Sequence, residues 1–114
     1  MDMIFANELT PAVVPPPSEF LKMEMEARGW TESNLAEIIN KPRQFISGLV
    51  NSKRQITGET ALRLAIAFGT SADLWLGLET DYQLHLAQER LSEAEVNGIA
   101  HRSHLYESMP APLG

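Results

Sequence analysis

TESNLAEIINKPRQFISGLVNSKR, from Thr31 to Arg54, is the stretch that decides the fold. Thr31 is a good N-cap, and Leu35, Ile38 and Ile39 form one apolar stripe, which predicts a short helix over Glu32 to Ile39. Asn40-Lys41-Pro42 interrupts the pattern. Proline is tolerated at a helix start, where the first-turn N–H has no intrahelical partner, so a further helix is expected from about Arg43 to Val50, burying Ile46, Leu49 and Val50. Asn51 to Ile56 reads as a polar, basic loop. Two short helices joined by so brief a turn can cross steeply when a small residue sits at the crossing. Ala36 supplies that residue and Ile46 the buried anchor. Such a pair can lay its second helix in the major groove of DNA while the first braces against the backbone.

The side chains of the second helix suit that task. Arg43 can pair bidentately with guanine O6 and N7, and Gln44 with adenine N6 and N7. Ser47, one turn below Arg43, can reach a base or a phosphate. Lys41 before the helix, and Asn51, Lys53 and Arg54 after it, are expected to hold phosphates, which position the protein without reading sequence.

Outward from this centre, Met1 to Pro17 ends in Val-Val-Pro-Pro-Pro and reads as an extended arm. Ser18 is placed to cap a helix running to about Arg28, with Leu21 and Met25 one turn apart and Gly29 ending it. Thr57 caps a helix through Phe68, with Ala61, Leu64, Ala65 and Phe68 inward and Gly69 as its stop. Ser71 caps another, whose apolar residues are Leu74, Trp75, Leu78 and Tyr82 and which can run past Leu86. Ser92 to Glu95 spells a capping box for a short C-terminal helix, and Met109 to Gly114 reads as a frayed end. Nothing resembles a strand. The reading is all-α, in three parts: arm 1–17, helical domain 18–88, extension 89–114.

Charge supports the centre. The chain of 114 residues carries a net charge of −6, which by itself argues against a nucleic-acid partner. Five of its nine basic residues, however, lie between Lys41 and Arg63 with only Glu59 opposing them, a local +4 flanked by segments of −5 each. The absence of cysteine removes disulfides, thiolate metal sites and cysteine nucleophiles. There is no apolar run of spanning length and no secretory signal pattern, which fits a bacterial-type cytoplasmic protein.

At these residues the sequence resembles a known family. Thr31 to Arg54 looks like the Cro/C1-type (Xre) helix-turn-helix. Ile56-Thr57, Ala61-Leu62-Arg63-Leu64-Ala65, Phe68-Gly69-Thr70-Ser71, Leu74-Trp75-Leu76 and Tyr82 narrow the similarity to HigA-type antitoxins, over about Pro17 to Ala87. The resemblance implies a five-helix (lambda-repressor-like) domain, here with an extra short C-terminal helix. It implies a homodimeric repressor on a palindromic operator, silencing its own toxin–antitoxin operon and neutralising an mRNA-cleaving toxin. No cofactor is implied. Two positions depart from the family pattern. Many relatives carry Gln where this chain has Glu32, and a carboxylate there repels phosphate. Many have Gly-Val-Ser where this chain has Asn40-Lys41-Pro42, which gives up a hydroxyl cap and a backbone donor.

Other residues favour plain readings. His101 and His104 have i, i+3 spacing but no third ligand nearby, so a solvated pair is expected rather than a metal site. Trp75, with Leu78 and Tyr82, is assigned to a dimer interface, with core as the alternative. Trp30 is expected to plug the core. Glu93 and Glu95 cannot face one another on a helix, so no catalytic pair is read and no enzyme is expected. Two rival functions stay open at this level. One is the DNA-reading part of a longer regulator with a peptidase-like domain. The other is a module without DNA affinity that uses its acidic arms to hold a basic toxin.

Overall fold

Caps and turns set the element boundaries. The structure, a computed structural model, describes residues 14–107. Among them are six helices and no strand: α1 (Pro17–Arg28), α2 (Glu32–Ile39), α3 (Arg43–Val50), α4 (Gly58–Phe68), α5 (Ala72–Arg90) and α6 (Glu93–Glu107). The arm up to residue 13 and the tail from 108 lie outside the described residues. The chain divides into two compact units between Leu84 and His85.

In the first unit Thr31 caps α2 reciprocally: the Asn34 backbone N–H donates to Thr31 Oγ1 (3.1 Å), and the Thr31 N–H donates to Asn34 Oδ1 (2.9 Å). Gly29 and Asn40 end α1 and α2 in the left-handed region, at φ 68° and 57°. The Trp30 and Lys41 N–H groups reach back to the Met25 and Ala36 carbonyls at 2.9 Å each, so the last-turn acceptors are satisfied. The start of α1 differs from expectation. Pro17, expected in the arm, is the first helical residue, and no side chain caps the helix. Proline suits that position because it has no N–H to leave unpaired. The Ser18 hydroxyl is instead buried against the Ser52 hydroxyl at 2.8 Å.

The core joins Leu21 and Met25 of α1, Leu35, Ala36 and Ile39 of α2, and Ile46, Leu49 and Val50 of α3. Ile56, Ala61, Leu64, Ala65, Phe68 and Trp75 complete it. Burial of Ala36 lets α2 lie against α3, its principal neighbour. Two apolar residues of the sequence pattern face outward: Ile38 and Leu74 are exposed, because Leu35, Ala36 and Ile39 define the inner side of α2 and Trp75 that of α5.

Trp75 requires a correction. It is fully buried within a single chain, its ring 5.1 Å from Phe20 and 5.7 Å from Phe68, with its indole N–H donating to Thr70 Oγ1 at 2.8 Å. A side chain so enclosed has no surface to offer a second protomer; it is a core residue. Leu78 and Tyr82 are half-buried, Leu78 packing on the core. Trp30 packs at the core edge, 5.2 Å from Phe68.

In the second unit Ser92 and Glu95 form the expected capping box, with Glu95 N–H to Ser92 Oγ at 3.1 Å and Ser92 N–H to Glu95 Oε1 at 3.2 Å. The helix they start runs 15 residues, longer than the short one expected, and buries none of its side chains.

Glu79 anchors the loop that follows α3. Its buried carboxylate accepts from the Ile56 backbone N–H (2.8 Å) and from the Gln83 amide (2.7 Å). Glu79→Ala leaves that N–H buried without a partner, so chemical denaturation should show a loss of about 1–3 kcal/mol. A loss below a few tenths of a kcal/mol would mean that the loop re-forms its bonds elsewhere.

Candidate nucleic-acid interface

Burial of Ile46, Leu49 and Val50 decides how α3 is rotated. The residues opposite them, Gln44, Ser47, Gly48 and Asn51, line one shallow surface groove together with Lys53. By helical geometry Arg43 then falls on one shoulder of this face and Phe45 on the other. Arg43, Gln44, Asn51, Lys53 and Arg54 are exposed, Ser47 is half-exposed, and Lys41 is mostly covered. The Asn51 amide donates back to the Ser47 carbonyl (2.8 Å) and hydroxyl (3.3 Å), so these two side chains form one polar unit in the groove.

The Phe45 shoulder gathers the cations. Arg54 Cζ lies 4.4 Å and Lys41 Nζ 5.1 Å from the Phe45 ring centroid, so one ring carries a cation from each side of α3 in sequence. Arg54 reaches the ring because the chain after α3 doubles back tightly. The Lys53 and Arg54 N–H groups both donate to the Gly48 carbonyl, at 2.8 and 3.1 Å. Ser52 takes a left-handed conformation, φ 57°, to make this turn. A Cβ on Gly48 would sit 3.3 Å from Arg54 Cβ, a tight contact that the corner could accept only by shifting a few tenths of an ångström.

Lys41 also pairs with Glu59 (3.6 Å), which accepts from Arg63 Nε (2.9 Å). The Arg63 hydrogen bond first, and then the Lys41 charge, hold the Glu59 carboxyl below its usual range. A carboxyl depressed in the folded state keeps this clasp above its ordinary titration range and releases it only as pH falls through the lowered value. Arg63, part of the basic segment, turns away from the groove and donates to the Ile39 carbonyl at 2.6 Å, capping α2.

Phe45, Gly48 and Glu79 do not stand out as site residues in the sequence. Phe45 reads there as one more apolar helix residue, and only its place between Lys41 and Arg54 in space shows its use. The glycine in the middle of a predicted helix is the one legible signal, since glycine there weakens a helix and marks a close approach.

This arrangement defines a class: two short helices joined by a brief turn, the second exposing one polar face edged by cations, form a helix-turn-helix. The helix-turn-helix family signature matches residues 21–75. The chain is 33% identical over 76 residues to antitoxin HigA-1 of Vibrio cholerae, covering 66% of this chain and 71% of that protein. It is 35% identical over 66 residues to the uncharacterized HTH-type transcriptional regulator YbaQ of Escherichia coli, covering 58% of each. Its fold matches a Pseudomonas aeruginosa protein solved in complex with its 18-base-pair operator DNA, with a TM-score of 0.67, 25% identity and coverage of 89% and 100%. The chain belongs to the Cro/C1-type (Xre) helix-turn-helix family, among relatives of the HigA antitoxins.

Phe45→Leu keeps an apolar side chain on the core edge but removes the ring face beneath Lys41 and Arg54. An exposed cation–π contact contributes about 0.5–1 kcal/mol, so chemical denaturation should show a loss of about that size for each cation released. Unchanged stability would show that the ring does not hold the two cations.

Proposed function

We propose that this protein is a sequence-specific DNA-binding repressor, acting as the antitoxin of an operon that it silences. The carrying observation is the outward face of α3, where Gln44, Ser47 and Asn51 share a groove with Lys53 and the exposed Arg43 sits at its shoulder. Arg43, Gln44 and Ser47 read base edges; Lys41, Asn51, Lys53 and Arg54 hold the backbone. Kinship with a HigA antitoxin, and a fold shared with a protein solved on its operator, support the reading. The operator is palindromic and the protein binds it as a homodimer, each protomer taking one half-site. With Trp75 in the core, the proposed dimer surface reduces to Leu78 and Tyr82. The toxin partner is a small basic protein, drawn to a chain of net charge −6. Residues 18–88 are the DNA-binding domain. No helix among the described residues is long and apolar enough to cross a membrane. We place the protein in the cytoplasm, with a binding rather than a catalytic role.

A gel-shift of the region upstream of the gene, repeated across salt concentrations, tests this. Arg43→Ala should remove about 1–3 kcal/mol of discrimination at one base pair of each half-site. Lys53→Ala should weaken operator and random duplex alike and lower the salt slope by about one. Equal losses on both duplexes for both variants would refute the division of roles.

A further inference from the structure

The first residue of α2 touches the first residue of α3. Glu32 Oε1 stands 3.7 Å from Arg43 Nη2, with the arginine side chain 69% exposed and the glutamate 31%. Arg43 is the cation at the shoulder of the α3 face, and Glu32 is the carboxylate that opens α2 beside it. An arginine at a DNA surface has two kinds of partner. It can fork onto guanine O6 and N7, which depends on sequence, or it can swing to a phosphate, which does not. A carboxylate beside one edge of the guanidinium leaves its other N–H groups available while opposing the swing toward phosphate. The same negative charge repels the backbone of every duplex, whatever its sequence.

From this pair we infer that Glu32 is a specificity-determining, positioning residue: it holds Arg43 for base edges and lowers the affinity for non-operator DNA. The inference rests on the reading of α3 as the base-reading helix. Repulsion between Glu32 and the phosphates weakens random sequences as much as the operator, while the oriented arginine favours the operator alone.

The test titrates wild type, Glu32→Gln, Arg43→Ala and the double variant onto two labelled duplexes, one from the region upstream of the gene and one a scrambled sequence of the same composition. Glu32→Gln should tighten binding to the scrambled duplex. It should also lower the ratio of upstream to scrambled affinity by about two- to five-fold, the upper range of what an exposed ion pair supplies. In the Arg43→Ala background the same change should leave the ratio where it was. A ratio unmoved by Glu32→Gln, in a wild type that does discriminate, would overturn the inference and leave the repressor reading standing. An equal fall with and without Arg43 would overturn it too, since Glu32 would then act by another route. A wild-type ratio near one, seen before any substitution, would remove the base-reading role and this inference with it.

Discussion

The rotation of α3 about its own axis is the constraint on which the site depends. Ile46, Leu49 and Val50 are all buried, and a helix of eight residues with three of them anchored has only one orientation available. A turn of about 100° per residue then makes Gln44, Ser47, Gly48 and Asn51 the outward set. Any slip of those anchors would bury the polar face and cost far more than the surface contacts could return, since each enclosed aliphatic side chain contributes about 1.5–3 kcal/mol. Ala36 matters for the same reason: it lets the neighbouring helix come close enough to complete the wall behind α3.

Electrostatics is arranged locally on a chain whose net charge is unfavourable. Of the five basic residues between Lys41 and Arg63, only some serve the groove. Arg63 is taken up by capping α2, and Lys41 and Arg54 are gathered on Phe45, with Glu59 pairing Lys41. Arg43 answers to Glu32. In the proposed complex with DNA, cations already held in place lose less side-chain freedom on meeting a phosphate or a base, which offsets part of the repulsion from the acidic remainder of the chain. The tight turn at Gly48 and the Glu79 anchor on Ile56 keep the corner that carries Lys53 and Arg54 beside the helix.

Helices α2, α3 and α4 were legible in the sequence to the residue, because their signals are local: Thr31 and Thr57 as caps, Asn40 and Gly69 as stops, Pro42 immediately before α3. The basic segment was visible for the same reason, being contiguous along the chain. Periodicity could not separate the inner from the outer apolar residues: Ile38 and Leu74, which belong to the apolar patterns of their helices, are exposed. Ser18 had the chemistry of a cap but meets Ser52, a residue 34 positions away, where no capping rule looks.

By itself, then, the order of residues determined the helices, the brief turn between the second and third, and the concentration of positive charge around them, since each depends on neighbours within a few positions. Only the tertiary structure decided that Trp75 closes the core instead of facing a second copy, that Phe45 gathers Lys41 and Arg54, and that Glu32 meets Arg43. Those outcomes rest on contacts between separate elements. A side chain carries no local mark of which distant partner the packing will bring to it.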